Sequence, residues 1–290
     1  MLEYADFFES GYKFKFDKDV SHYLDKVADR DEAGKLRGIC HRMTRAIVDI
    51  YKVKSKEELI EQIEKNIKVI DSSYNGEKNP PDIQKLKGMI REYEEELVWA
   101  HYGVKVNNIE HLRLGFYTGD IFTPLPQRER DIEPVLNLLR RIKPTILSLA
   151  FDPEGSGPDT HYKVLQAIAE ALRQWRKEED ISSLRIIGYR NVWYKFHPSE
   201  ANVFTPVSLN SMAVLEWSFK NCYKSQYEAS FPSYDYDGPF SELSQKIWVE
   251  QFKKVQLILG KDFFYENESP KIRSTHGMIF HKEMKIDEFL

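Results

Sequence analysis

The stretch that most constrains this chain runs from Pro144 to Leu172 and reads PTILSLAFDPEGSGPDTHYKVLQAIAEAL. Its apolar run, Thr145 to Phe151, has the length and β-branched start of a buried parallel strand. It stops at Asp152-Pro153, where proline cannot continue a ladder. A glycine-bearing loop, Glu154 to Pro158, then leads to a helix whose Val164, Leu165, Ile168, Ala171 and Leu172 share one face. Asp159 or Thr160 is the expected N-cap, which puts His161 in the first turn beside free backbone amides. Ligands of open parallel sheets bind beyond the carboxyl ends of the strands, so Asp152, Glu154, Asp159 and His161 are expected to face a site.

The same alternation recurs on both sides of this segment. Upstream, Ile109, Leu112, Leu114 and Phe116 alternate as in a strand, and Asp131 is expected to cap a helix through Val135, Leu138, Leu139 and Ile142 that Pro144 closes. Downstream, Leu184 to Tyr189 reads as a strand followed by Arg190, Asn191 and an aromatic group ending at His197-Pro198. Ser208 or Asn210 then caps a helix through Met212, Leu215, Phe219 and Cys222. Ser241 begins a long helix that Gly260 stops. Strand, helix, strand, helix is the βαβ pattern, so the expected fold class is α/β with a mostly parallel sheet and helices on both faces.

Residues 1–105 read differently, as a charged helical N-terminal arm ahead of an α/β domain over 106–290. Ser55 and Glu58 form a capping box before Leu59, Ile63, Ile67 and Ile70. Asp82 opens a helix striped by Ile83, Leu86, Ile90, Tyr93 and Leu97. Val20 to Ala28 and Leu36 to Tyr51 are expected to be helices too, with their Arg and Lys residues on a solvated face. The chain carries 42 basic and 46 acidic residues without a strong block of one sign, so nucleic acid is not an expected partner. Two cysteines far apart, Cys40 and Cys222, read as reduced thiols of a cytoplasmic protein. The start MLEYADFF lacks the basic and apolar regions of an export signal, and no run of 18 apolar residues offers a membrane span.

The runs LRLGFYTGDIFT, LAFDPEGSGPDTHYKVLQAIAEALRQ, GYRNVWYKFHPSEANVF and SFPSYDYDGPFSELSQKI resemble the C-terminal portion of long-form glucosamine-6-phosphate deaminase-like proteins. In these a deaminase-type domain precedes one similar to the LmbE and PIG-L N-acetylglucosamine deacetylases. The resemblance implies a Rossmann-like fold and a catalytic zinc held by a His-Pro-Asp-Asp segment after the first strand and by a later His-x-x-His segment. His161 matches the later metal-binding histidine, while Pro158 stands where the family has the other one. The opening strand with its His-Pro-Asp-Asp motif is missing, as is the deaminase domain, so a fragment or a shortened gene product is expected. Zinc needs three protein ligands and a water whose pKa it lowers to ~7. One matched histidine does not hold it, so zinc is expected for the family and not necessarily bound here.

Two functions follow as expectations. The first is an N-acetylglucosamine deacetylase-like hydrolase, incomplete or inactive in this chain, with His161 as metal ligand, Asp152 and Asp159 as catalytic support, and Arg190, Asn191, Glu154 and His197 lining an amino-sugar or sugar-phosphate pocket. The second is a noncatalytic sugar-phosphate-binding or assembly domain, partnered by a deaminase domain or by a second copy of itself. For His161 the structural alternative is a helix-start imidazole bonded to a carboxylate. For Asp152 and Asp159 it is a strand-end turn and an N-cap. Arg190 equally suits a phosphate or an acid of the helical arm.

Overall fold

The structure is a computed structural model and describes residues 16–74, 76–120, 122–152, 159–191, 195–227 and 238–290. The chain divides into two units. One takes the described residues up to His111 together with 118–120 and 218–225; the other takes the described residues of 112–117, 121–217 and 226–290.

The first unit is built on α1 (Phe16–Ala28), α2 (Glu32–Tyr51), α3 (Lys56–Ser72) and α4 (Pro81–His101). Their starts satisfy the orphan amides that every helix leaves. The Asp31 carboxylate accepts from Gly34 N at 2.8 Å, the Ser55 hydroxyl accepts from Glu58 N at 3.2 Å, and proline occupies the first position of α4. The expected capping box reaches one residue further back, because Glu58 accepts from Lys54 N at 2.8 Å. Tyr23, Ile47, Leu59, Ile83 and Leu97 are fully buried in this unit.

The solvated face expected for the arginines is corrected at two positions. Arg42 and Arg45 are buried. Arg42 Nη2 donates to both oxygens of Glu96 at 2.6 and 2.7 Å, and Arg45 Nη2 donates to Asp19 at 2.9 Å. A neighbouring helix brings each guanidinium its own carboxylate, and a buried charge survives on that condition. Cys222 packs with Val20, Tyr23, Val27, Tyr93 and Leu97, and burial pushes its thiol up to about 12. Both cysteines are free thiols.

The second unit opens with a departure. Residues 111–117 form no strand, because Arg113 adopts a left-handed φ of 50° and Gly115 N donates to Asp131 Oδ1 at 2.8 Å instead of to a neighbouring strand. Leu112 and Leu114 still reach the core. Asp131 is not a simple N-cap. It is fully buried, accepts from Gln127 N at 2.9 Å, pairs with Arg130 at 2.6 Å and sits in a π-helical turn, Arg128–Ile132, that runs into α5 (Glu133–Ile142).

Then follow β1 (Ile146–Ala150), α6 (Asp159–Trp175) and β2 (Arg185–Tyr189), the one βαβ unit among the described residues, with β1 and β2 parallel. After it come β3 (Val203–Val207), α7 (Leu209–Cys222), α8 (Phe240–Leu259), the short α9 (Lys261–Tyr265) and α10 (Pro270–Arg273), β4 (Gly277–Lys285) and α11 (Ile286–Phe289). The sheet order is β1-β2-β4-β3, and β4 runs antiparallel to both neighbours. The sheet is therefore mixed, which corrects the mostly parallel expectation. The parallel rule holds where a helix returns the chain between β1 and β2, whereas β4 enters from short helices and inserts between β2 and β3.

Val135, Leu136 and Leu139 of α5, Ala171, Leu172 and Trp175 of α6, Leu149, Ile186 and Met284 form one core cluster. A second joins Phe196, Phe264, Met278 and Phe280 with Phe252 and Val255 of α8. Gly188 leaves room between them, since a methyl there would stand 3.1 Å from the Phe151 ring. Among the described residues no helix is long and apolar enough to cross a membrane. Leu172→Ala should cost about 2–5 kcal/mol, because Leu172 is fully buried in a packed cluster. The midpoint of urea unfolding, compared at equal slope, measures that loss.

Candidate functional site

The register of the parallel pair sets the site. Ala150 of β1 lies beside Tyr189 of β2, and Phe151 N donates to Tyr189 O at 2.7 Å, extending the pairing one residue past the strands. Two residues beyond each strand end stand Asp152 and Asn191. Asn191 N donates to Asp152 Oδ1 at 2.9 Å, and the Asn191 side-chain amide donates to Oδ2. His161, third residue of α6, places Nδ1 2.9 Å from the same Oδ2. Asp152 is 6% exposed, while about a third of the His161 side chain is exposed, 36%.

Chemistry assigns the protons. An ionised carboxylate only accepts, so the imidazole hydrogen sits on Nδ1 and the lone pair on Nε2. The Asn191 amide nitrogen also lies 3.3 Å from Nδ1. Both atoms are donors, and they converge on Oδ2 rather than bond each other. Asp152 thus takes three hydrogen bonds, and Nε2 of His161 has no hydrogen-bond partner among the described residues.

The other expected residues fall elsewhere. Asp159 is not brought to the imidazole. It pairs with Lys163 one turn along α6 and accepts from the Thr123 hydroxyl at 2.9 Å. Lys163 also donates to the Thr123 hydroxyl oxygen at 3.1 Å. The Lys163 ammonium, then the Thr123 hydroxyl, hold the Asp159 carboxyl below the usual aspartate range. Neither Thr123 nor Lys163 was expected here, although a lysine four residues after an aspartate is a readable helical pair.

Arg190 pairs with Glu200 of its own loop at 3.4 Å, not with an acid of the helical arm. It also donates to Lys195 O at 3.2 Å and lies over the Phe196 ring, 4.3 Å from its centre. His197 is exposed and closes a turn: its Nδ1 meets Ser199 Oγ at 2.7 Å, and its backbone N–H donates to Glu200 at 2.8 Å. Glu154, Pro158, Trp193, Tyr194 and the Tyr234 to Asp237 loop lie outside the described residues. Among the described residues no group of three His, Cys, Asp or Glu side chains is arranged to hold a metal ion. Both Asp152 oxygens are already engaged, which leaves His161 as a single open donor. That set does not fit a catalytic zinc.

No family model matches the sequence, and no solved structure matches it. The chain is similar to a glucosamine-6-phosphate deaminase-like protein of Bacteroides thetaiotaomicron. The two are 29% identical over 147 residues, 49% of this chain and 21% of that protein. The matched part therefore spans about a fifth of the relative's length.

Two outcomes follow from this geometry. In the nitrogen spectrum of labelled imidazoles, His161 should show the Nδ1-protonated form, and Asp152→Asn should convert it to a tautomer mixture. An unchanged spectrum would remove the orienting role of Asp152. The second concerns acid. A carboxyl whose pKa is depressed by folding stabilises the fold above its unfolded value, ~3.9, and that contribution is lost as pH falls through the lower folded value. The melting-temperature advantage of the natural protein over Asp159→Asn should therefore be constant at neutral pH and shrink only below about pH 4.

Proposed function

We propose that this chain acts on an amino-sugar derivative at the Asp152, His161 and Asn191 cluster, as a hydrolase of the N-acyl bond. The observation that carries the reading is the His161 imidazole, whose Nδ1 is held by a buried carboxylate and whose Nε2 has no partner among the described residues. An imidazole so held is a proton acceptor at Nε2. A water bonded to Nε2 gives up its proton as its oxygen attacks the amide carbonyl, and Asp152 stabilises the imidazolium that results. The same proton then passes to the departing nitrogen, releasing the carboxylic acid and the free amine. Asn191 keeps Asp152 in place. The amino-sugar class is supported by the name of the Bacteroides relative, and the βαβ unit is the part of a Rossmann-like hydrolase that this reading draws on. When bound, zinc would polarise the carbonyl and acidify the water, but the described donor set does not fit it and no step here uses it.

A second reading is favoured by that same single open donor: a domain that binds a hexosamine phosphate without turning it over, in the service of a deaminase partner. Acetate release from N-acetylglucosamine and its 6-phosphate separates the two. Under the hydrolytic reading the natural protein releases acetate, and His161→Ala lowers the rate by about 10²–10⁴. Equal release by the variant overturns the role of His161. No release by either protein, with glucosamine 6-phosphate raising the melting temperature, selects the binding reading. No release and no shift would remove both.

A further inference from the structure

A cavity of about 260 Å³ opens on the second unit beside Asn191, lined among others by Arg190, Phe196, Trp248, Gln251 and His281. Three observations distinguish it from a packing gap. Gln251, on α8, is only 5% exposed, yet its side-chain amide has no hydrogen-bond partner among the described residues. An amide that lines a cavity and has no protein partner keeps its donors and its acceptor for whatever enters. Arg190 Nε is buried without a partner among the described residues, while its terminal nitrogens donate to Lys195 O at 3.2 Å and pair with Glu200 at 3.4 Å, and its plane lies over Phe196. The third observation is the composition of the wall, which sets the aromatic side chains of Phe196 and Trp248 among amide, imidazole and guanidinium groups. Flat apolar faces mixed with few polar groups suit a ring that is apolar on its faces and hydroxylated at its edge. Ligand pockets commonly run from about 300 to 1,000 Å³. This one lies just below that range and suits a monosaccharide rather than a nucleotide.

We propose that this cavity is a binding subsite for a monosaccharide carrying one anionic group, in which Gln251 reads a ring hydroxyl or the amino substituent and Arg190 takes the anion. Arg190 is the group suited to a phosphate, since a guanidinium presents several donors in one plane. Asn191 connects the subsite to the imidazole cluster, because the residue that lines the cavity also donates to Asp152. The amino-sugar identity of the ligand rests on the proposed function; the subsite itself rests on the unpartnered Gln251 amide and on the guanidinium that lines the same cavity.

Calorimetric titration of the full chain with glucosamine 6-phosphate, and with glucosamine alone, tests it. Gln251→Leu should weaken binding of both sugars roughly tenfold, the loss of about one hydrogen bond. Arg190→Met should weaken the phosphorylated sugar by at least that factor and leave the unphosphorylated one nearly unchanged. Gln251→Glu keeps the size of the side chain and removes its donors, so it should also weaken the phosphorylated sugar should Gln251→Leu fail to fold. Binding lost in His161→Ala but intact in both Gln251 variants would put the sugar at the imidazole alone, overturning the subsite while the proposed function stands. Weakened binding in the Gln251 variants, with no acetate released by the natural protein, would establish the subsite and remove the hydrolytic reading. Absence of heat with either sugar overturns the subsite.

Discussion

The pairing of Ala150 with Tyr189 is the constraint on which the candidate site depends. Parallel strands in this register end at the same level, so the residues two beyond each end meet. Here they are a carboxylate and an amide. Asn191 contributes both its backbone and its side-chain N–H to Asp152, which holds the carboxylate from the β2 side while the imidazole bonds it from α6. A slip of one residue would turn each strand's side chains to the opposite face and separate the three groups. The hydrogen-bonded sheet sets where the His161 Nδ1 partner stands.

Charge is treated in two ways in this protein. In the helical unit, Arg42 with Glu96 and Arg45 with Asp19 are buried as matched pairs. Such pairs add little net stability over an apolar filling, yet removing one member is costly, which ties the helices to a particular arrangement. Asp131 plays a similar part in the other unit, gathering Gly115, Gln127 and Arg130 around a fully buried carboxylate. The cavity beside Asn191 is different. There Arg190 Nε is buried without a partner among the described residues, and the side chain of Gln251, a buried residue that lines the same cavity, has no hydrogen-bond partner among them either.

Much of the βαβ unit was legible because each element carries a strong local signal. The apolar run before Asp152-Pro153 became β1, the 3.6-residue stripe after Asp159 became α6, and Leu184 to Tyr189 held β2. The nearness of Asp152 and His161 followed from the rule about strand ends. The failures have physical reasons too. Alternation at Leu112, Leu114 and Phe116 looked like a strand, but the left-handed backbone at Arg113 breaks it while leaving the two leucines able to bury. β3 contains Pro206 and β4 ends in the charged HKEMK, so neither reads as a sheet element by composition. Nothing in the sequence marks Gln251, a polar residue on a long helix, as buried. Its burial is decided by tertiary packing that local periodicity does not report.

The space at Gly188 has a wider meaning. The first carbon of any other residue there would stand 3.1 Å from the Phe151 ring, tighter than ordinary contact, and Phe151 is the immediate chain neighbour of Asp152. A single added methyl near the end of β2 would press on that ring, which would have to give by a few tenths of an ångström right beside the residue that carries the carboxylate. Space inside the sheet and the setting of one acid at its rim are therefore linked through a single aromatic side chain.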